Sequence, residues 1–246
     1  MISEVTFSKK FTSFWNEVLP NAKNYVRLIN GGLLKAEYSP FPLTPRKQNI
    51  ALINTLSFYM LRELINQKTK FDLLSTPSFL KGNEFKLIME NSLEYLSNFS
   101  YGKDFLLPLN NDELTQVNRL FKLMYNHFTK ETKSICIDPC FDGCGFINPS
   151  YGDLIHNDTL TEIKSGERKF SLTDIRQLVI YLTLNHYSNI PYKIEKIELF
   201  NPRMGISFSE DVESFCLNIS ALSCTELYSE IQKYVTDNNF IEEYAF

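Results

Sequence analysis

The sequence predicts an α/β protein, with a mixed central β-sheet and flanking helices preceded by a mostly helical N-terminal half. Three observations carry this prediction. Before Lys133, apolar residues recur at helical spacing. After it, short β-branched and apolar runs alternate with turn residues. One helical stretch then separates those runs, and the order strand, strand, strand, helix, strand, strand requires a crossover helix and a mixed sheet. The change in pattern divides the chain into a helical region, 1–132, and a sheet-bearing core with a C-terminal helix, 133–246.

Phe11, Phe14, Trp15, Val18 and Leu19 mark a helical run within 8–30, with Pro20 ending or bending it. Gly31-Gly32 is a break, and Pro40, Pro42 and Pro45 make an irregular connector. Residues 47–67 give the clearest amphipathic helix, through Ile50, Ile53, Leu56, Met60 and Leu64. Residues 84–98 predict another, as do 113–129, with Asn111 or Asp112 as its cap. Ser134–Ile137, Phe146–Ile155 and Thr159–Lys164 read as strands, the last two joined by a His156-Asn157-Asp158 turn. Ser171–Leu184 is an amphipathic helix. Lys193–Phe200 and Ile206–Ser209 form a hairpin about Asn201–Gly205, and 223–235 close the chain as a helix.

The 246 residues are 43% hydrophobic and 22% charged, enough for an ordinary core. The net charge is -4 and the pI near 5.5. A protein that coats nucleic acid unaided is usually basic, so this balance argues against that class. Binding to a polyanion here requires a local positive patch, a metal ion or a partner. No run reaches the roughly 18 apolar residues of a membrane span. The start, Met1-Ile2-Ser3-Glu4, lacks a basic segment followed by an apolar one, so the expected location is cytoplasmic, with reduced thiols.

Chemistry concentrates between Gly152 and Tyr181. Side chains on a strand alternate faces, so Glu162 and Lys164 point the same way while Ile163 points to the opposite face. Asp153 lies nine positions before Glu162, and the intervening hairpin brings the two side by side. Two adjacent carboxylates bind a hard divalent ion such as Mg²⁺ or Mn²⁺, and the Ile163 carbonyl would add a third oxygen. Lys164 would orient a water or stabilise charge on a phosphoryl group. The competing reading is a same-face ion pair of Glu162 and Lys164 on a solvated edge strand.

Gly152-Asp153-Leu154-Ile155, then Thr161-Glu162-Ile163-Lys164-Ser165-Gly166, then a helix carrying Gln177, resembles the PD-(D/E)xK nuclease superfamily over roughly residues 134–210. The resemblance implies a restriction-endonuclease-like core and a metal-dependent nuclease, with nucleic acid as partner and DNA ahead of RNA. It implies that Asp153 and Glu162 bind the metal, that Lys164 assists the nucleophile and that Gln177 supports Lys164. It also implies a setting in a prokaryotic defence or mobile-element system. Many members add an upstream acidic residue, for which Glu113 and Glu131 are the candidates. The alternative is a binding or assembly subunit that keeps the nuclease fold and works with a protein partner or as a homo-oligomer.

Lys169 and Arg176 are candidate phosphate contacts, and Arg168, Lys193, Lys196 and Arg203 weaker ones, against the plain reading of a solvated surface in which Glu167, Asp174, Glu195 and Glu198 are interspersed. Cys136, Cys140 and Cys144, four apart, read as structural thiols rather than a zinc set, since no second cluster accompanies them. Phe7, Phe11, Phe14 and Trp15 read as core rather than a base-stacking surface. Asn201–Gly205 reads as a structural turn.

Overall fold

Asn157 and Asp158 decide the central hairpin. Both adopt positive φ, 45° and 62°, the two-residue geometry whose twist matches paired antiparallel strands. Asn and Asp tolerate it because their short side chains hydrogen-bond locally. The turn is one residue shorter than expected: His156 ends strand β5 (Leu154–His156) and pairs with Thr159, the first residue of β6 (Thr159–Ile163).

The structure, a computed structural model, describes residues 1–42, 46–67, 71–76, 78–98, 104–129 and 134–237. Pro45 of the expected connector lies outside them. The other strands are β1 (Lys35–Ala36), β2 (Ile135–Ile137), β3 (Cys140–Phe141), β4 (Ser150–Tyr151), β7 (Lys196–Asn201) and β8 (Ile206–Asp211). Helices are α1 (Glu4–Lys9), α2 (Thr12–Val18), α3 (Ala22–Leu28), α4 (Ile50–Gln67), α5 (Phe71–Leu74), α6 (Asn83–Ser97) and α7 (Asn111–Thr129). After β6 come α8 (Leu172–Tyr187), α9 (Val212–Ser220) and α10 (Cys224–Asp237).

Six strands form one mixed sheet in the order β1-β8-β7-β6-β5-β2, with β3 and β4 as a separate ribbon. Among the six, β6 and β7 pair in parallel, and α8 supplies the crossover between them. The predicted α/β architecture, a mixed sheet with flanking helices, is the one observed.

Alternation along the strands sends side chains to two cores. Ile155, Leu160, Ile197 and Leu199 join one with α1, α2, α3, α8, α9 and α10. Leu154 and Phe200 join the other with α4, α6 and α7. The cores therefore do not divide at residue 133. Phe7, Trp15 and Tyr25, from the first thirty residues, are buried with the C-terminal helices. Phe11 and Phe14 pack against the same core, where the Phe14 and Tyr234 rings stack at 3.9 Å.

Three expectations are corrected. The run within 8–30 stops at Val18, ahead of Pro20 as expected, but it is also broken at Phe11, whose φ of 58° separates α1 from α2. Phe146–Ile155 is not one strand: β4 and β5 belong to different sheets. Gly152 lies between them, where a Cβ would meet Phe141 at 3.2 Å and Leu160 at 3.4 Å, so the chain crosses the ribbon tightly at a residue without a side chain. And α8 is enclosed rather than amphipathic, with Asp174 to Asn185 buried without interruption. Helices α1, α3 and α10 pack on it, and β6 lies against it. A helix covered all round needs no polar face, and periodicity in α8 alone does not reveal what covers it.

One buried polar cluster ties α7 to the sheet. Glu198 on β7 accepts from Thr161 Oγ1 at 2.9 Å and lies 2.8 Å from His127 Nε2 and 3.2 Å from His156 Nε2. Burial alone would raise its carboxyl, but the two imidazoles outweigh burial and hold it at about 2.

Candidate active site

The site lies at the C-terminal end of β6, beside its parallel partner β7. Carboxyl ends of parallel strands are where open α/β sheets commonly bind ligands. Extending the β5–β6 register by one pair sets Asp153 opposite Glu162. Leu160, two residues before Glu162, belongs to the α8 side of the sheet, so Glu162 and Lys164 face α8. Ile163 packs against the opposite core.

Lys164 Nζ donates to Glu162 Oε1 at 2.6 Å and to Gln177 Oε1 at 2.8 Å. Asp174 Oδ1 is 3.7 Å away. Asp153 Oδ2 accepts from the Ile163 backbone N–H at 2.7 Å, pinning the carboxylate to β6. The structure thus brings Asp153, Glu162, Lys164 and Gln177 together. Asp153, Ile163 and Lys164 line a cleft of about 250 Å³, whose other wall is Asn54, Thr55 and Phe58 of α4.

Asp174, among the interspersed surface acids in the sequence, is an integral part of this site. It is buried and accepts from both Arg168 guanidinium nitrogens, at 2.6 and 2.9 Å. Its local signal is the Ser171-x-x-Asp174 capping box that starts α8. Burial would raise the Asp174 carboxyl, but Arg168 and Lys164 outweigh that and lower it.

Charge in the cluster does not balance. Among the described residues, Asp153, Glu162 and Asp174 face two cations, Lys164 and Arg168. Glu4, at the start of α1, adds to the excess, since its charge acts on Glu162. No motif links Glu4 to the site; an acid is favoured at a helix start in any case. Burial, and then the Glu162 charge, push Asp153 up to about 8. Burial also raises Glu162, against the pull of Lys164. For Lys164, burial alone would lower the ammonium, yet the surrounding carboxylates more than offset this and raise it. Lys164 is therefore a cation at neutral pH.

A divalent cation fits this donor set. Two hard carboxylates sit side by side with surplus negative charge. Among the described residues no three His, Cys, Asp or Glu side chains form a closed cage, and Mg²⁺ is commonly held by one or two carboxylates plus water. The linkage has a definite sign. The folded-state value of Asp153 lies above its unfolded value of roughly 3.9. The folded protein therefore binds more protons between those values, and its metal-free stability falls as pH rises from about 4 to about 8. Melting in EDTA should show that decline, at about 2–4 °C per kcal/mol lost. Asp153→Asn should flatten it, and Mg²⁺ should raise the melting temperature more at pH 8 than at pH 5.

Other expected residues are placed elsewhere. Arg176 is buried and donates to Ser8 O at 3.1 Å, near the Trp15 ring, fastening α8 to α1. Lys169 is exposed and donates to Asn30 O at 2.7 Å. Glu113 is buried at the start of α7, where Asn49 Nδ2, Arg46 and the Asn110 N–H take up its carboxylate. Glu131 lies outside the described residues. Cys136, Cys140 and Cys144 are free thiols, the first two on different sheets.

The Asn201–Gly205 turn braces the site. Asn201 Nδ2 donates to Gly166 O at 2.9 Å and Arg168 O at 3.0 Å. Arg203 has no solvent exposure. It donates to Ser165 O at 3.0 Å, Gln116 Oε1 at 2.9 Å and Asn54 Oδ1 at 3.2 Å. It thus joins the loop after Lys164 to α4 and α7 and is not a surface cation. Gly205 closes the turn at φ +63, where a Cβ would lie 2.2 Å from Tyr38 O.

No protein-family model matches the chain, and no curated protein matches it. Among the described residues no helix is long and apolar enough to cross a membrane.

Proposed function

We propose that this protein is a divalent-metal-dependent nuclease of the PD-(D/E)xK type, hydrolysing phosphodiester bonds in DNA ahead of RNA. One observation carries the reading: Lys164 is held between Glu162 and Gln177, beside Asp153, at the edge of an open cleft. A merely solvated ion pair on an edge strand would not be recessed, nor held by a buried glutamine.

Asp153 and Glu162, with the Ile163 carbonyl, would hold Mg²⁺ or Mn²⁺. When bound, that ion supplies charge against a phosphoryl oxygen and a more acidic water. The chain's own residues do the rest. An ammonium has three N–H donors. Glu162 and Gln177 take two from Lys164, leaving the third for a phosphoryl oxygen or the attacking water. Because Lys164 stays protonated, its part is electrostatic rather than that of a general base. Gln177 fixes the direction of Nζ without adding charge. Arg168 neutralises Asp174, which leaves Lys164 less tightly committed to it. A prokaryotic defence or mobile-element system is the proposed setting.

The test is conversion of supercoiled plasmid to nicked and linear forms by wild type in Mg²⁺ or Mn²⁺, set against EDTA and against Asp153→Asn. Metal-dependent nicking absent from Asp153→Asn supports the reading and marks an endonuclease. Absence of cleavage of plasmid, linear DNA and RNA alike would overturn it in favour of a non-catalytic subunit. Cleavage of RNA alone would move the substrate to RNA.

A further inference from the structure

We infer that Cys216 and Cys224 form an oxidisable dithiol: a hydroperoxide entering the cavity beside α9 and α10 is reduced at Cys224, and Cys216 then closes a disulfide with it. The site is separate from the carboxylate cluster and independent of the nuclease reading.

The first observation is that the two thiols converge. Cys216 lies midway along α9, and Cys224 opens α10. The chain turns between them at Ala221, whose φ of 62° is in the left-handed region. Cys224 Sγ donates to Val212 O at 3.5 Å. That carbonyl is also the helical acceptor for the Cys216 N–H, four residues on. Cys216 Sγ donates to Tyr228 Oη at 3.9 Å, and Tyr228 lies one turn after Cys224 on the same face of α10. Both side chains are therefore directed into one junction, where the two thiols hydrogen-bond to each other.

The second observation is access. Cys224 lines a cavity of about 540 Å³ together with Tyr192, Tyr228, His186, Glu213 and Thr225. The last three are exposed, so the cavity opens to solvent. A peroxide, barely larger than a water molecule, reaches Cys224 through it. Cys224 keeps 6% exposure and Cys216 none, which suits a thiol that meets only its oxidised partner.

The third observation is a difference in acidity. Cys224 stands in the first turn of α10, where unpaired N–H groups and the helix dipole favour a thiolate. The Cys216 thiol beside it, helped by Tyr228, holds Cys224 below its ordinary value, against burial and the Glu213 carboxylate. Cys224 and burial raise Cys216, and burial raises Cys136 and Cys144. The Cys224 thiolate therefore attacks one peroxide oxygen, the O–O bond breaks, and the departing hydroxide takes up a proton to become water. Cys216 sulfur then attacks the Cys224 sulfur, the S–O bond breaks, and the oxygen leaves with the Cys216 proton as a second water. The two thiols lose two electrons and the peroxide gains them. The product fastens α9 to α10, which itself packs on α8.

The experiment is treatment of the wild-type chain with a small excess of hydrogen peroxide in EDTA, followed by alkylation in denaturant. Two of the five thiols should be lost, and dithiothreitol should restore them. Cys216 and Cys224 share one tryptic peptide, 204–233, since no Lys or Arg lies between Arg203 and Lys233, and that peptide should be lighter by two hydrogens. Cys216→Ser should leave Cys224 as a sulfenic acid that dimedone captures, and Cys224→Ser should leave Cys216 reduced. The wild-type peptide map needs neither variant to fold. Retention of all five thiols, oxidation led by Cys136, Cys140 or Cys144, or a sulfinic acid at Cys224 beside a reduced Cys216 would overturn the inference.

Discussion

Lys164→Ala is expected to lower metal-dependent cleavage by about 10²–10³-fold, the usual loss when one preorganised charge or donor is removed from a site of developing negative charge. Its Nζ is the cation closest to Glu162, at 2.6 Å, and it keeps a donor for the substrate. Gln177→Ala should cost about 10-fold, because Gln177 only aims Nζ from 2.8 Å. Lys164→Arg should recover little, since a planar guanidinium cannot replace a compact ammonium between two acceptors. Single-turnover cleavage of a labelled duplex with an unpaired end, at saturating Mg²⁺, measures all three, with melting temperatures as the control for folding. Equal rates for wild type and Lys164→Ala would remove Asp153, Glu162 and Lys164 from the reaction altogether.

Arg203→Ala is expected to cost about 3 kcal/mol or more in stability, since hydrogen bonds from a charged donor contribute roughly 1.5–3 kcal/mol each and the side chain is fully buried. At about 2–4 °C per kcal/mol, its melting temperature should fall by roughly 6–12 °C. Arg203 Nε, Nη1 and Nη2 reach three separate pieces of chain, at Ser165, Gln116 and Asn54. Arg203→Lys should therefore recover only part of the loss, because one ammonium cannot span the same fork. Urea unfolding of the three proteins checks this. A change below about 0.5 kcal/mol, the range of ordinary surface substitutions, would mean that the brace does not hold the loop after Lys164.

The grouping of Asp153, Glu162 and Lys164 was legible because its signals are local. A strand's period of two puts Glu162 and Lys164 on one face, and an Asn-Asp turn sets the register that brings Asp153 opposite Glu162. The long helices α4, α6 and α7 were legible for a similar reason, as was Gln177, which stands two turns or less from the cap of α8. Strand Phe146–Ile155 was misread because its apolar residues serve two different sheets, a distinction that composition does not carry.

Charge was the least legible property. Arg203 and Arg176 read as surface cations among surface acids, yet both are enclosed, because α1 and the helical layer close over them. Asp174 likewise passed for a solvated acid although it neutralises Arg168 beneath Lys164. A side chain's sequence neighbours do not report what a distant helix places against it.

The sequence by itself determined the α/β class, the paired carboxylates with their lysine and the glutamine four residues before Tyr181, since each depends on separations of a few residues. Only the tertiary structure decided that Glu4 adds its charge to the site, that α4 walls it with Asn54, Thr55 and Phe58, and that Arg203 braces it. Those relations join residues 4, 54, 58 and 203 to a strand at 159–163. Burial and long-range charge are properties of the packed chain, and no local period encodes them.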